Sequence, residues 1–375
     1  MRTRLPFLKL PASQPSLRRI YQQRIQKVLT RSRFILGEEV ARFEAQFAAF
    51  CGARFSVGVG NGTEALLIAL RLSGIRPGLG QEVITTPLTA SFTAHAIVAA
   101  GARPVFADID PETLLLNPTA VSQRVTPRTA AILPVHLYGQ CCDLAALRRL
   151  ARQCKCVVIQ DAAQAHGTEF QGQPLAHFSD WVAYSFYPTK NLGAVGDGGA
   201  LVTNRSELAE AARQFRDGGR NRDHVAHREG INSRLDELQA AVLRIHLRSL
   251  KRWNRRREQL AKLYDTLLGE TCQGRIQLPS HPPDSHSSHH LYVIRTRKRD
   301  ALRDFLSRRG IETAVHYEQP LHLQPAFRWL AYRRGDFPNA ERAAREVCSL
   351  PLHPFLSVEE VRRVAAEVAR FFKNT

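Results

Sequence analysis

The residues of this chain best suited to covalent chemistry are Lys190 and Asp161, each just beyond a strongly apolar run. Asp161 ends the run CVVIQD, and a carboxylate that closes a buried strand is costly unless a partner faces it. Two readings of it are open: the N-cap of a helix at a strand-to-helix turn, or the counter-ion of a buried cation such as a protonated pyridine nitrogen. Gln164, three residues on, would present its amide to the same ligand. Lys190 follows the turn SFYPT and precedes a stretch dense in glycine, with Gly193, Gly196, Gly198 and Gly199. It reads either as a surface-loop lysine or as an amine partly withdrawn from water, unprotonated enough to form a Schiff base. The third element is VGVGNGTEALLIAL, where Gly58, Gly60 and Gly62 lead into a helix with Thr63 and Glu64 in its first turn. Free N–H groups and the positive end of the helix dipole make such a start a phosphate site. GVGNGT departs from the GxGxxG dinucleotide fingerprint. A phosphate cradle, a strand-end acid and a strand-end lysine, in that order, are the parts a pyridoxal phosphate enzyme needs.

These groups need a scaffold that delivers them to one place. Short apolar runs at 82–86, 103–109, 130–139, 155–163, 181–188 and 199–204 read as strands, with helical patterns such as GTEALLIALRLSG and DLAALRRLARQ between several of them. Val/Ile-rich strands alternating with helices predict an α/β fold with a mostly parallel sheet covered on both faces. Such sheets place ligands at the carboxyl ends of their strands. From 244 to 262 the sequence RIHLRSLKRWNRRREQLAK has apolar residues at helical spacing, which predicts a long amphipathic helix with a solvated basic face. Beyond the loop HPPDSHSSHH come a strand at LYVIRT, the helix RDALRDFLSRRG, a strand at IETAVHY and the closing helix VEEVRRVAAEVARFF. The expected division is a large domain, 1–248, with an N-terminal arm, and a smaller C-terminal α/β domain, 249–375, that begins within the long helix.

Composition bounds what partners to expect. The chain has 375 residues, 44% of them hydrophobic, which excludes a disordered tail, a collagen-like rod and a small disulfide scaffold. Its 53 Lys+Arg against 34 Asp+Glu give a net charge of +19. No helix-turn-helix, zinc-finger or RNP pattern accompanies that charge, so nucleic acid is not an expected partner. The seven cysteines include no CxxC pair and suit free thiols in a reducing compartment. No apolar run long enough for a membrane span is present, and a soluble, cytoplasmic protein is expected. His281, His286, His289 and His290 lack a ligand spacing and accompanying acids or thiols, so no metal is expected.

The stretches VGVGNGTEAL, PVFADIDPET, TPRTAAILPVHLYGQ, DAAQAHG, SFYPTKNLGAVGDGG, GINSRLDELQAA, VHYEQPLHLQPAF and SLPLHPFLS follow one another over nearly the whole chain. On them the sequence resembles the DegT/DnrJ/EryC1/StrS family of sugar aminotransferases. The resemblance implies a fold-type I aminotransferase, homodimeric, with pyridoxal 5'-phosphate in active sites at the subunit interface and L-glutamate as amino donor. It makes Lys190 the Schiff-base lysine, Asp161 the partner of the pyridine nitrogen and Gln164 a contact of the ring hydroxyl. It gives the phosphate to Gly62, Thr63 and Ser185, joined by Asn232 of the partner subunit. It places His316, Tyr317, His322 and the segment RFILG, with Arg33 and Phe34, around a sugar-nucleotide pocket. One departure stands out. The family's TF-x-AT motif reads TPLTASFTAHA here, which puts Ala90 where a stacking ring is expected and leaves Phe92 to substitute.

The acceptor implied is a nucleotide-diphosphate keto-sugar, a dTDP-3-oxo-6-deoxyhexose aminated at C-3 by likeness of TKNLGA and GDGG. Amination at C-4 and a cyclitol acceptor stay open. Dehydratase relatives carry histidine in place of the lysine, and Lys190 argues against that branch. A cofactor-binding regulator without catalysis is the remaining alternative.

Overall fold

A computed structural model describes residues 4–221 and 223–373 of the chain. The strands are β1 (Phe55–Val59), β2 (Glu82–Thr85), β3 (Arg103–Phe106), β4 (Thr129–Ile132), β5 (Val157–Asp161), β6 (Glu169–Phe170), β7 (Gln173–Pro174), β8 (Trp181–Ser185), β9 (Gly199–Thr203), β10 (Ser285–His286), β11 (Tyr292–Arg295) and β12 (Val347–Leu350). The helices are α1 (Pro15–Arg31), α2 (Glu38–Phe50), α3 (Gly62–Leu72), α4 (Ser91–Ala99), α5 (Pro118–Ser122), α6 (Leu144–Gln153), α7 (Ser206–Arg216), α8 (Glu237–Thr271), α9 (Arg299–Arg308), α10 (Pro338–Glu346) and α11 (Val358–Lys373). Seven strands form one sheet in the order β1-β9-β8-β5-β4-β2-β3. Its members from β8 to β3 run parallel, and β9 lies antiparallel to both β1 and β8. The mixed α/β reading holds, with one reversed strand.

Local sequence explains most of these elements. α6 buries Leu144, Leu147 and Ala151, spaced three and four apart, while the Asp143 carboxylate accepts the Ala146 amide at 2.9 Å as N-cap. The side chain of Asn61 caps α3 in the same way, accepting the Glu64 amide at 2.9 Å. Apolar clusters fill both faces of the sheet, one joining α3, α4 and the strands to residues 321–347, the other joining α2 to the first half of α8.

A third core gathers the end of α8, β11, α9, β12 and α11, and Leu5 from the opposite end of the chain is buried within it. Leu5 donates its amide to Gly310 O (2.7 Å) and accepts from Glu312 N (3.1 Å).

Two expectations from sequence are corrected here. The segment 311–317 is no strand: its backbone pairs with β12 only at Ala314, which exchanges both backbone bonds with Ser349. The chain is drawn off because the Tyr138 hydroxyl donates to His316 O and the Gln164 amide donates to Tyr317 Oη at 3.0 Å. β11 pairs instead with β12, in the stretch VCSL. The basic helix is not basic on its solvated face alone. Arg248, Lys251, Arg252 and Arg255 are exposed, but Arg244 turns inward to the Glu39 carboxylate and Arg257 is buried, donating to Leu352 O (2.8 Å) and His290 O (3.2 Å). Among the described residues no helix is long and apolar enough to cross a membrane.

Candidate active site

β5 and β8 are parallel neighbours with Asp161 in register with Ala183, so the segments leaving their carboxyl ends start side by side. Asp161 ends β5 almost fully buried. Its Oδ2 accepts the Thr93 hydroxyl at 2.9 Å and its Oδ1 the Ala163 amide at 3.1 Å. Burial pushes its carboxyl pKa up, and those two donors, with the charge of Lys190, pull against that rise. Among the described residues no basic side chain lies within ion-pair distance of it, so a buried carboxylate is left wanting a cation.

Lys190 lies five residues past the end of β8, on a turn where its amide donates to Tyr187 O at 2.8 Å. Partial burial lowers its pKa to about 8, against the opposing pull of Asp161. Two buried histidines, His166 and His290, and the half-buried His316 feel its charge. His166 is held down to about 3 and His316 to about 4, and His290 lies well below its ordinary value, in each case chiefly by burial. They remain neutral and add no positive charge beside the amine.

Gln164 is fixed at both ends, its Oε1 accepting the Tyr138 amide at 2.7 Å and its Nε2 donating to Tyr317 Oη. Burial raises the Tyr317 hydroxyl to about 12, with the Asp161 charge adding to the rise. His316 Nδ1 lies 2.8 Å from Ser349 Oγ.

The phosphate cradle is also assembled within the chain. With β9 between β1 and β8, the start of α3 lies against Ser185: a Cβ on Gly62 would stand 2.7 Å from Ser185 Cβ. As the first two helical residues, Gly62 and Thr63 have amides with no intrahelical partner. The Gly60 amide donates to Ser233 Oγ at 3.0 Å, which ties this turn to the segment bearing Asn232.

The structure thus brings Lys190, Asp161, Gln164, Tyr317 and His316 into one cluster, with Gly62, Thr63 and Ser185 along the neighbouring strand. Other expected residues stand apart. His322 is turned into the core, its Nε2 3.1 Å from the Glu341 carboxylate and its ring 4.7 Å from that of Phe337. Phe92 is 63% exposed and one helical step before Thr93, the residue that does reach Asp161. Arg33, Phe34 and Asn232 lie on exposed segments; Arg33 donates to Leu36 O at 2.6 Å. Sequence reasoning missed Thr93 and Tyr138. Thr93 had a weak signal, a hydroxyl in the first turn of a helix that starts past a strand end.

The donor set fits one kind of ligand. A buried acid without an ion-pair partner, an amine whose pKa burial lowers to about 8, and a glycine-lined helix start suit a phosphorylated aldehyde with a basic ring nitrogen.

The model of the DegT/DnrJ/EryC1/StrS aminotransferase family matches residues 15–369. A "pleiotropic regulatory protein" of Geobacillus stearothermophilus is 43% identical, covering 99% of both chains. The dTDP-3-amino-3,4,6-trideoxy-alpha-D-glucose transaminase of Streptomyces venezuelae is 45% identical over 96% of this chain and 94% of its own. Among solved structures, DesV of S. venezuelae, in complex with a ketimine intermediate, superposes with a TM-score of 0.94 at 44% identity over 98% of each chain. NtdA of Bacillus subtilis, with bound cofactor PMP, gives 0.91 at 31% identity, covering 99% of this chain and 85% of that one.

Proposed function

Because the chain belongs to the DegT/DnrJ/EryC1/StrS aminotransferase family, we propose that it binds pyridoxal 5'-phosphate and transfers the amino group of L-glutamate to a nucleotide-activated keto-sugar. The acceptor favoured is a dTDP-3-oxo-6-deoxyhexose aminated at C-3, supported by a 45%-identical relative that carries a dTDP-3-amino sugar in its name. The observation that carries the reading is the placing of Lys190, held at a pKa of about 8, beside a buried Asp161 that has no ion-pair partner among the described residues.

When bound, the cofactor supplies an electron sink for the carbanion at the donor's α-carbon. Lys190 would hold the cofactor's aldehyde, and its amine, with a pKa lowered to about 8, would be the group that carries a proton between donor and cofactor carbons. Asp161, steadied by Thr93 and Ala163, keeps a proton on the ring nitrogen. Gln164, locked between Tyr138 N and Tyr317 Oη, orients the ring through its hydroxyl. The amides of Gly62 and Thr63, with Ser185, anchor the phosphate.

The working form we infer is a homodimer in the cytoplasm. Phe34 (45%), Tyr187 (53%) and Phe92 (63%) leave large apolar side chains exposed, which supports a second copy covering them. A smaller C-terminal unit beginning within α8 is supported by the third core, although residues 321–347 pack on the large sheet and Leu5 packs in that third core. The "pleiotropic regulatory" name of one relative favours a second reading, a cofactor-binding regulator. A reverse assay separates them: dTDP- and UDP-aminosugars are incubated with 2-oxoglutarate, and glutamate is scored. Glutamate formed by the wild type and not by Lys190→Ala supports transamination; none from any sugar, with salt-sensitive DNA retention, supports the regulator.

A further inference from the structure

We propose that His290 is a positioning residue for the reactive amine, acting through Asn191. The Asn191 side chain, next to Lys190 and 4% exposed, makes three hydrogen bonds. Its Nδ2 donates to Asn254 Oδ1 on α8 (3.0 Å) and to Ser288 O (2.9 Å), which leaves its Oδ1 toward His290. The His290 imidazole therefore carries its proton on Nδ1 and donates it across 3.1 Å. Asn254 is itself fixed, its Nδ2 donating to His166 O at 2.7 Å.

The same short segment grips the other side of the site. Ser288 N donates to Gly139 O (3.0 Å) and His290 N to Tyr138 O (2.9 Å). Gly139 has φ +93°, and a Cβ there would stand 2.6 Å from Ser288 Oγ, so the approach tolerates no side chain. Tyr138 in turn holds Gln164. One stretch of the histidine-rich loop thus sets the backbone beside Lys190 and the turn that aims Gln164. If the grip on Asn191 loosens, the amine regains water and its basicity rises toward that of a free lysine.

The inference rests on Lys190 being the reactive amine of the proposed reaction, but its test needs no cofactor. Cofactor-free protein is acylated with acetic anhydride across a pH series, and the Lys190 peptide is quantified by mass spectrometry against exposed lysines. Wild type should titrate near pH 8. His290→Leu should move that midpoint up by about one pH unit, an approximately eightfold loss of Lys190 reactivity at pH ~7.5. His290→Asn, which keeps an N–H at the Nδ1 position, should stay within about twofold of wild type. Asn254→Ala removes the acceptor of Asn191 Nδ2, together with the bond to His166 O, from a half-buried site and should shift the midpoint in the same direction. It decides the matter if His290→Leu does not fold. A wild-type titration in the leucine variant, an asparagine variant that shifts as far as leucine, or no change in a folded Asn254→Ala overturns the proposal. A chain that shows these shifts yet transfers no amino group refutes the aminotransferase reading and leaves this one standing.

Discussion

Replacing Lys190 with methionine should abolish turnover and at the same time stabilise the cofactor-free fold. The folded-state pKa of Lys190 is about 8 against an ordinary 10.5, so below pH 8 the folded chain carries a proton it binds less tightly than the unfolded chain does. At ~1.36 kcal/mol per pH unit that difference is on the order of 3 kcal/mol against folding. The penalty is full below about pH 8, declines between 8 and 10.5, and is absent above 10.5, so stability contributed by this site rises with pH. Methionine keeps the length and apolar stem of lysine and carries no charge. Thermal melts of cofactor-free wild type and Lys190→Met at pH 7 should therefore differ by several degrees in favour of the variant. The gap should close as pH approaches 10.5. A variant that melts at or below the wild-type temperature throughout this range would falsify the claim that Lys190 is held against its charge.

Other perturbations probe the neighbours. Thr93→Val removes a donor to the Asp161 carboxylate, lets that carboxyl pKa rise further and should weaken cofactor binding about tenfold by fluorescence titration; unchanged affinity refutes a role for Thr93. Gly62→Ala puts a Cβ at 2.7 Å from Ser185 Cβ, forces α3 and β8 apart and should weaken cofactor binding; equilibrium dialysis showing full retention argues against the cradle. Arg216→Met strands the buried Glu44 carboxylate, which otherwise pairs with Arg216 and accepts the Gly58 amide at 2.8 Å. It should lower stability by about 3–5 kcal/mol in urea unfolding, and a loss under ~1 kcal/mol would show the pair to be dispensable.

Much of the scaffold was readable from residue pattern because Val/Ile-rich strands and capped helices state their own periodicity. The six runs between 82 and 204 all contain strands, and Lys190 and Asp161 lie just where parallel neighbours must end. What escaped was set by distant contacts. The segment 311–317 alternates enough to suggest a strand, yet bonds from Tyr138 and Gln164 draw it to the site. His322 was assigned to the pocket, but a carboxylate nineteen residues away, Glu341, turns it inward. Thr93 gains its importance only from a contact with Asp161, sixty-eight positions along the chain, which no local window contains. Arg257 looked like one more member of a solvated face until backbone carbonyls from two other segments enclosed it.

The burial of Leu5 ties manufacture to architecture. The third core cannot complete its interior without a residue made about 250 positions earlier than the rest of it, and Arg4 and Phe7 add ties to Glu312 on the same strap. A fragment beginning near 249 would therefore emerge with a gap where that leucine belongs. A bulky fusion placed directly ahead of it would disturb the far end of the molecule rather than the near one.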